Sequence, residues 1–248
     1  MGRARVGMII GSVAVAALWV AGPGQAQEKL SAKLNPSGLV RIMAGATELG
    51  ALELNAHGPQ WAYASQAGAT ARVSDLPDQA GKRFVGTLPV PNTDGGALAF
   101  TETVKTLPQG LRLVYEVGVT KALQLNGLQV SLRLPVAQYG GQPVLISGPD
   151  GEPRTVSLPP EQGENTFAGW SGAGSKLEVA KGTNQALTIE LQGAADVMIQ
   201  DLRKWKEPVF EIRFPAIMED PPRPVAAEDK FHLDLTVTCA GPVPLAGP

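Results

Sequence analysis

The sequence predicts an all-β fold, an antiparallel β-sandwich with few or no helices. Three observations predict it. Apolar residues recur with period two in run after run, and short turn signals separate the runs. In addition, 29 Gly and 21 Pro are scattered through the 248 residues. They leave little room for helix, because proline breaks helices and glycine weakens them.

The strands follow in order. In "LRLVYEVGV", Leu111, Leu113, Tyr115, Val117 and Val119 share one face. In "VSLRLPV", Val130, Leu132, Leu134 and Val136 do the same, opposed by Ser131 and Arg133. "LTIEL" sets Leu187, Ile189 and Leu191 against Thr188 and Glu190, and "FHLDLTVTC" alternates from Phe231 to Cys239. "ADVMIQDL" is apolar in both phases, which marks a central strand, and "VFEIRFP" turns Phe210, Ile212 and Phe214 inward. Between them fall Asn35–Gly38, Asp94-Gly95-Gly96, Asn126-Gly127, Gly148–Gly151 and Lys181–Asn184. Such Asn, Asp and Gly residues supply the positive φ angles of tight turns.

Residues 1–26 are set apart as a signal peptide. Arg3 and Arg5 form a basic start, an apolar run follows, and Gly24 and Ala26 precede a cut before Gln27. Export to the periplasm or the medium is the expectation, with a retained anchor as the alternative. Residues 27–240 then form a single β-sandwich domain, and 241–248 a flexible tail. The Gly- and Pro-rich stretch 138–165 is either a surface excursion or a link between lobes, and "EDPPRP" (219–224) reads as an extended connector.

Without Arg3 and Arg5, 19 of the 21 basic residues face 23 acidic ones, a net charge of −4. The charges are interspersed, so neither nucleic acid nor a membrane surface is an expected partner after cleavage. The one cysteine, Cys239, allows no internal disulfide and reads as a buried small hydrophobe. Two histidines without a neighbouring ligand give no metal site, and nothing in the sequence points to a cofactor. "GPDGEP", with Asp150 and Glu152, could offer oxygens to calcium, but a turn explains it equally well. "GWSGAG" has only the start of a nucleophile elbow, with Ala173 where the second glycine belongs and no helix after it.

No catalytic constellation is recognisable. Glu190, Glu211 and Asp234 alternate with apolar neighbours and read as outward strand residues, and His232 as a solvated one. His57 lies in "LNAHGPQWAY", read as a loop, with Trp61 and Tyr63 close behind. The richest stretch is "IQDLRKWKEPVFEIRFP". If the strand stays extended to Trp205, Asp201, Arg203 and Trp205 share the face of Val197 and Ile199. The trio then forms either an edge ion pair capped by tryptophan or a ligand-facing group, with Trp205 stacking and the charged pair meeting hydroxyls.

The order of "GLVRIMAGATELG", "LPQGLRLVYEVGVTKALQLNGLQVSLRLPVAQYGGQPV" and "QDLRKWKEPVFEIRF" resembles the galactose-mutarotase-like β-sandwich, or supersandwich, domains. That resemblance implies a saccharide-related sandwich. Catalytic members use histidines with a glutamate base, and neither histidine here sits in such a motif, so no catalytic residue is carried over. The leading expectation is an exported, non-catalytic protein that binds carbohydrate or cell-envelope glycan. Its contact residues would be Trp61, Tyr63, Trp170, Asp201, Arg203 and Trp205, with His57 a secondary candidate. The alternatives are a carbohydrate-active enzyme (hydrolase, lyase or mutarotase-like) and a structural envelope protein that mediates protein contacts.

Overall fold

The computed structural model describes residues 28–149, 152–164 and 172–248. The chain builds strands β1 (Leu30–Leu34), β2 (Val40–Ala44), β3 (Thr47–Gly58), β4 (Ala62–Ser65), β5 (Thr70–Asp75), β6 (Gly81–Pro89), β7 (Ala97–Leu107) and β8 (Gly110–Val119). Then come β9 (Leu123–Pro135), β10 (Pro143–Ser147), β11 (Arg154–Ser157), β12 (Gly172–Val179), β13 (Leu187–Asp201), β14 (Val209–Val225), β15 (Lys230–Thr238) and β16 (Leu245–Ala246). Among the described residues one α-turn, Val136–Tyr139, interrupts them. The fold is all-β, as the alternation predicts.

Hydrogen bonds connect the strands in the order β16-β1-β2-β3-β9-β14-β13-β15-β8-β7-β6-β5. Every pairing is antiparallel except that of β16 with β1. The strand β13 joins the two layers. Its first half, Thr188 to Leu191, pairs with β15, while Met198 to Asp201 pairs with β14. One sheet therefore curls over and packs on itself. Leu52 and Leu54 of β3, Leu132 of β9, and Phe210 and Ile212 of β14 join Phe84, Leu98, Leu113 and Tyr115 of the other layer in one buried cluster. Burying side chains of this size stabilises by about 1.5–3 kcal/mol each.

The structure corrects several local expectations. Asn126-Gly127 is not a turn but lies inside β9, where Gly127 pairs with His57 on one side and Met218 on the other. A Cβ at Gly127 would stand 2.9 Å from His57 Nδ1, so glycine is needed there for space. The 138–165 stretch contributes β10 and β11, which extend the second layer through β12. "EDPPRP" belongs to β14, where the pairing with β9 shifts register between Met218 and Arg223. Pro221 and Pro222, inside that shift, lack the N–H a regular ladder needs, so the strand bulges there. The tail is tied down by β16 and by buried Val243.

Candidate functional site

The first layer buries one phase of β3, β9 and β14 in the core, so the opposite phase of each strand faces outward. On β3 that phase carries Glu53, Asn55 and His57; on β9 it carries Gln129, Ser131 and Arg133; on β14, Glu211 and Arg213. Register sets them side by side. Glu53 pairs with Ser131, Asn55 with Gln129, Ser131 with Arg213, and Arg133 with Glu211. Met198 and Gln200 of β13 continue the rows beside Arg213 and Glu211. Of these residues His57, Arg133, Glu211, Arg213, Met198 and Gln200 line the floor of a cleft of about 610 Å³.

Aromatics form its walls. Beyond His57 the chain turns through Pro59–Trp61 and returns as β4, which brings Trp61 and Tyr63 back over the imidazole. Their ring centroids lie 5.6 and 5.4 Å from that of His57. Gln60 and Trp61 both hold positive φ, 64° and 58°, a conformation that costs non-glycine residues about 1–3 kcal/mol each. The Trp61 N–H donates to Asn126 Oδ1 at 3.2 Å, and its indole N–H to Asp220 Oδ2 at 3.5 Å. Across the cleft, a 3₁₀ turn over Leu202–Trp205 ends in left-handed Lys206 and leaves Trp205 53% exposed. Both walls are tryptophans presented by backbone turns in the left-handed region.

Charges on the floor are paired. Arg133 contacts Glu207 through Nη2 and Glu53 through Nη1, the latter at 3.4 Å, and Arg213 Nε donates to Glu211 at 2.6 Å. Ser65 donates to Glu53 from the β4 side. The neutral groups differ. The Tyr63 hydroxyl donates to Asn55 Oδ1 at 3.0 Å, leaving Asn55 Nδ2 without a partner. His57 Nδ1, both amide atoms of Gln129 and Ser131 Oγ are also buried and complete no hydrogen bond of acceptable geometry among the described residues. Burial drives the His57 pKa down to about 4, Arg213 adds to that, and Glu211 and Gln129 oppose it. At neutral pH the imidazole is uncharged, with one donor and one acceptor nitrogen.

Of the residues singled out from sequence, Trp61, Tyr63, Trp205 and His57 line this cleft together. His57 does so from strand β3 rather than from a loop. Asp201 and Arg203 do not line it. The strand ends at Asp201, so the extended trio does not form, and Arg203 instead grips Asp201 and the carbonyls of residues 159–161. Trp170 lies outside the described residues, as do Asp150, residues 1–27 and Ser171. His232 is exposed and Cys239 buried, as expected, but Asp234 is not outward-facing and free: it is buried against Arg112 at 2.5 Å. Glu211 likewise is only 2% exposed.

Glu53, Gln129, Arg133, Glu211 and Arg213 were missed because alternation alone assigns them to solvent, and Glu207 because it lies in the connection between two strands. The available signal was "VMI" beside "FEIRF". A strand that is central by its double apolar phase has neighbours whose outer polar phase is covered rather than bare.

No family model matches the sequence, and no curated protein sequence matches it. Solved structures do. A proposed aldose 1-epimerase from Escherichia coli K12 is similar at 9% identity and TM-score 0.49, over 85% of this chain and 98% of that one. A galactose mutarotase related enzyme from Lactobacillus acidophilus is similar at 8% identity and TM-score 0.44, over 87% and 98%. A galactose mutarotase-like protein from Lactobacillus casei ATCC 334 is similar at 12% and 0.47, over 85% and 99%. The likeness is one of overall strand arrangement, and it assigns no residue a role.

Proposed function

We propose that the protein is an exported saccharide-binding protein whose ligand lies in the cleft on β3, β9 and β14. One observation carries the reading. The cleft places His57, Gln200 and the paired charges of Arg133, Glu207, Glu211 and Arg213 beneath a rim of Trp61, Tyr63 and Trp205, and His57 Nδ1, with atoms of Asn55, Gln129 and Ser131 in the sheet around it, completes no hydrogen bond of acceptable geometry among the described residues. Leaving such groups unpaired costs about 1–3 kcal/mol each. A ligand rich in hydroxyls supplies both donors and acceptors, and its apolar ring face suits tryptophan. Binding without turnover is favoured because Glu53 and Glu211 are both held by arginines, so neither stands free as a base.

A second reading, proton transfer at a sugar's anomeric centre, draws on neutral His57 and Glu211 lining the same cleft. Calorimetric titration with neutral mono- and oligosaccharides, together with polarimetry of fresh α-D-glucose and α-D-galactose, separates the two. Binding without faster mutarotation supports the first. Acceleration that disappears in His57→Ala replaces it with the second, and no binding of any saccharide overturns both. The export expectation is checked by locating the processed chain in cell fractions.

A further inference from the structure

Resting on the saccharide reading, a second question is which saccharides the cleft accepts. Its charged groups answer this. Arg133 and Arg213 are the two cations on the floor, and Glu53, Glu207 and Glu211 surround them, for a formal charge of −1. Arginine in an aromatic cleft is ordinarily the group that captures a carboxylate or phosphate, through two parallel N–H donors. Here neither arginine is open to do so. Arg213 is engaged by Glu211, and both are nearly buried, their side chains 12% and 3% exposed.

Arg133 is the more accessible of the two. One of its terminal nitrogens meets Glu53 in the floor and the other meets Glu207 at the mouth. Glu207 differs from the other acids, since its side chain is 45% exposed and it belongs to no strand. It follows the Trp205 turn directly, and its N–H donates to Leu202 O at 3.2 Å, which fixes its place opposite Arg133. An entering anion would have to displace the Glu207 carboxylate or lie beside it.

We infer that Glu207 is a specificity-determining residue: by occupying Arg133 at the mouth, it restricts the cleft to uncharged saccharides and turns away those bearing a carboxylate. Hydroxyls are still served. A carboxylate–guanidinium pair presents donors and acceptors together without net charge, which suits neighbouring hydroxyls. Repulsion of the wrong ligand, rather than extra attraction for the right one, sets the preference.

The test uses the full exported chain and sugar pairs that differ only in oxidation at carbon six: D-glucose against D-glucuronate, and D-galactose against D-galacturonate. Dissociation constants are read by calorimetry for wild type, Glu207→Gln and Glu207→Asp, with melting curves to establish that each variant folds. The wild type is expected to bind the neutral member at least about tenfold more tightly. Glu207→Gln should lower that ratio by about tenfold, and Glu207→Asp should keep it. Equal wild-type affinities, a ratio unchanged in Glu207→Gln, or a ratio lost equally in Glu207→Asp each overturns the inference while leaving saccharide binding intact. If neither member of either pair binds and neutral oligosaccharides fail as well, the saccharide reading itself falls, and the inference with it.

Discussion

Arg203 closes on Asp201 with Nε 2.9 Å from Oδ1 and Nη2 2.6 Å from Oδ2, and the same guanidinium donates to the carbonyls of Pro159, Pro160 and Glu161. Asp201 is 2% exposed. Burial opposes its ionised form, but the hydrogen bonds from Arg203 outweigh burial and hold the carboxyl below its usual range. Two residues apart in sequence, the pair ties the end of β13 to the segment after β11. Arg203→Ala should cost about 3–5 kcal/mol in urea unfolding, because it strands a buried charge. The Asp201→Asn, Arg203→Met double variant should cost clearly less. Equal losses would mean the charges do not act on each other.

Trp205 separates binding from stability. More than half exposed, with Lys204 Nζ 5.7 Å from its ring centroid, it buries little on folding. Trp205→Ala should change unfolding free energy by no more than about 0.5 kcal/mol. It should weaken saccharide binding by about tenfold, the scale of one lost aromatic contact. A variant that melts early but binds normally would place the ring in the fold instead.

Glu102 predicts a pH dependence of stability. Fully buried, it accepts from Gln66 Nε2 at 2.5 Å with the Tyr115 hydroxyl beside it. Burial pushes its pKa from 4.5 up to about 8, against the pull of Tyr115 and Gln66. The folded state therefore holds this proton over a range where the unfolded chain has released it. The resulting stability is full below about pH 4.5 and is lost as pH rises to about 8, on the order of 5 kcal/mol in all. Glu102→Gln should remove that slope and be the more stable protein at pH 8.5. Parallel curves for the two proteins would show that the carboxyl titrates normally.

His57 acts in the opposite sense. Its pKa falls from 6.5 to about 4, so the folded state binds fewer protons than the unfolded chain between those values. The corresponding stability is present above about pH 6.5 and is lost as pH falls toward 4. A ring-proton NMR titration should show a midpoint near 4. Saccharide affinity should stay flat between about pH 5.5 and 8 as far as the imidazole is concerned. A midpoint near 6.5 would mean that water reaches the ring.

Gly127 tests the floor's packing. Its missing Cβ leaves room for the imidazole, since an added methyl would stand 2.9 Å from His57 Nδ1. Gly127→Ala should cost about 1–3 kcal/mol and weaken binding, through displacement of His57. Unchanged affinity would show that the ring can shift freely.

Much of the fold was legible because alternation is a local property. Leu111, Leu113 and Tyr115, or Phe210, Ile212 and Phe214, announce a buried face within a few residues, and all of them are buried. The three cleft aromatics Trp61, Tyr63 and Trp205 were legible as candidates for a similar local reason: each follows a strand end or turn signal. Asn126-Gly127 was misread because glycine serves turns and close approaches alike, and only the neighbouring strand shows which.

The cleft floor was not legible, because its residues converge from strands far apart in the chain. Glu53, Arg133 and Glu211 look alike in sequence to exposed Glu190: each alternates with apolar neighbours. Glu53 and Glu211 are buried and paired because β3, β9 and β14 lie adjacent in one sheet whose outer side is walled by Trp61 and Trp205. The sequence by itself determined the all-β class, the inward faces of the alternating runs in β8, β9, β13, β14 and β15, and the aromatics near strand ends. The tertiary structure decided which outward faces meet, because strand order and curl depend on long-range pairing that no local pattern encodes.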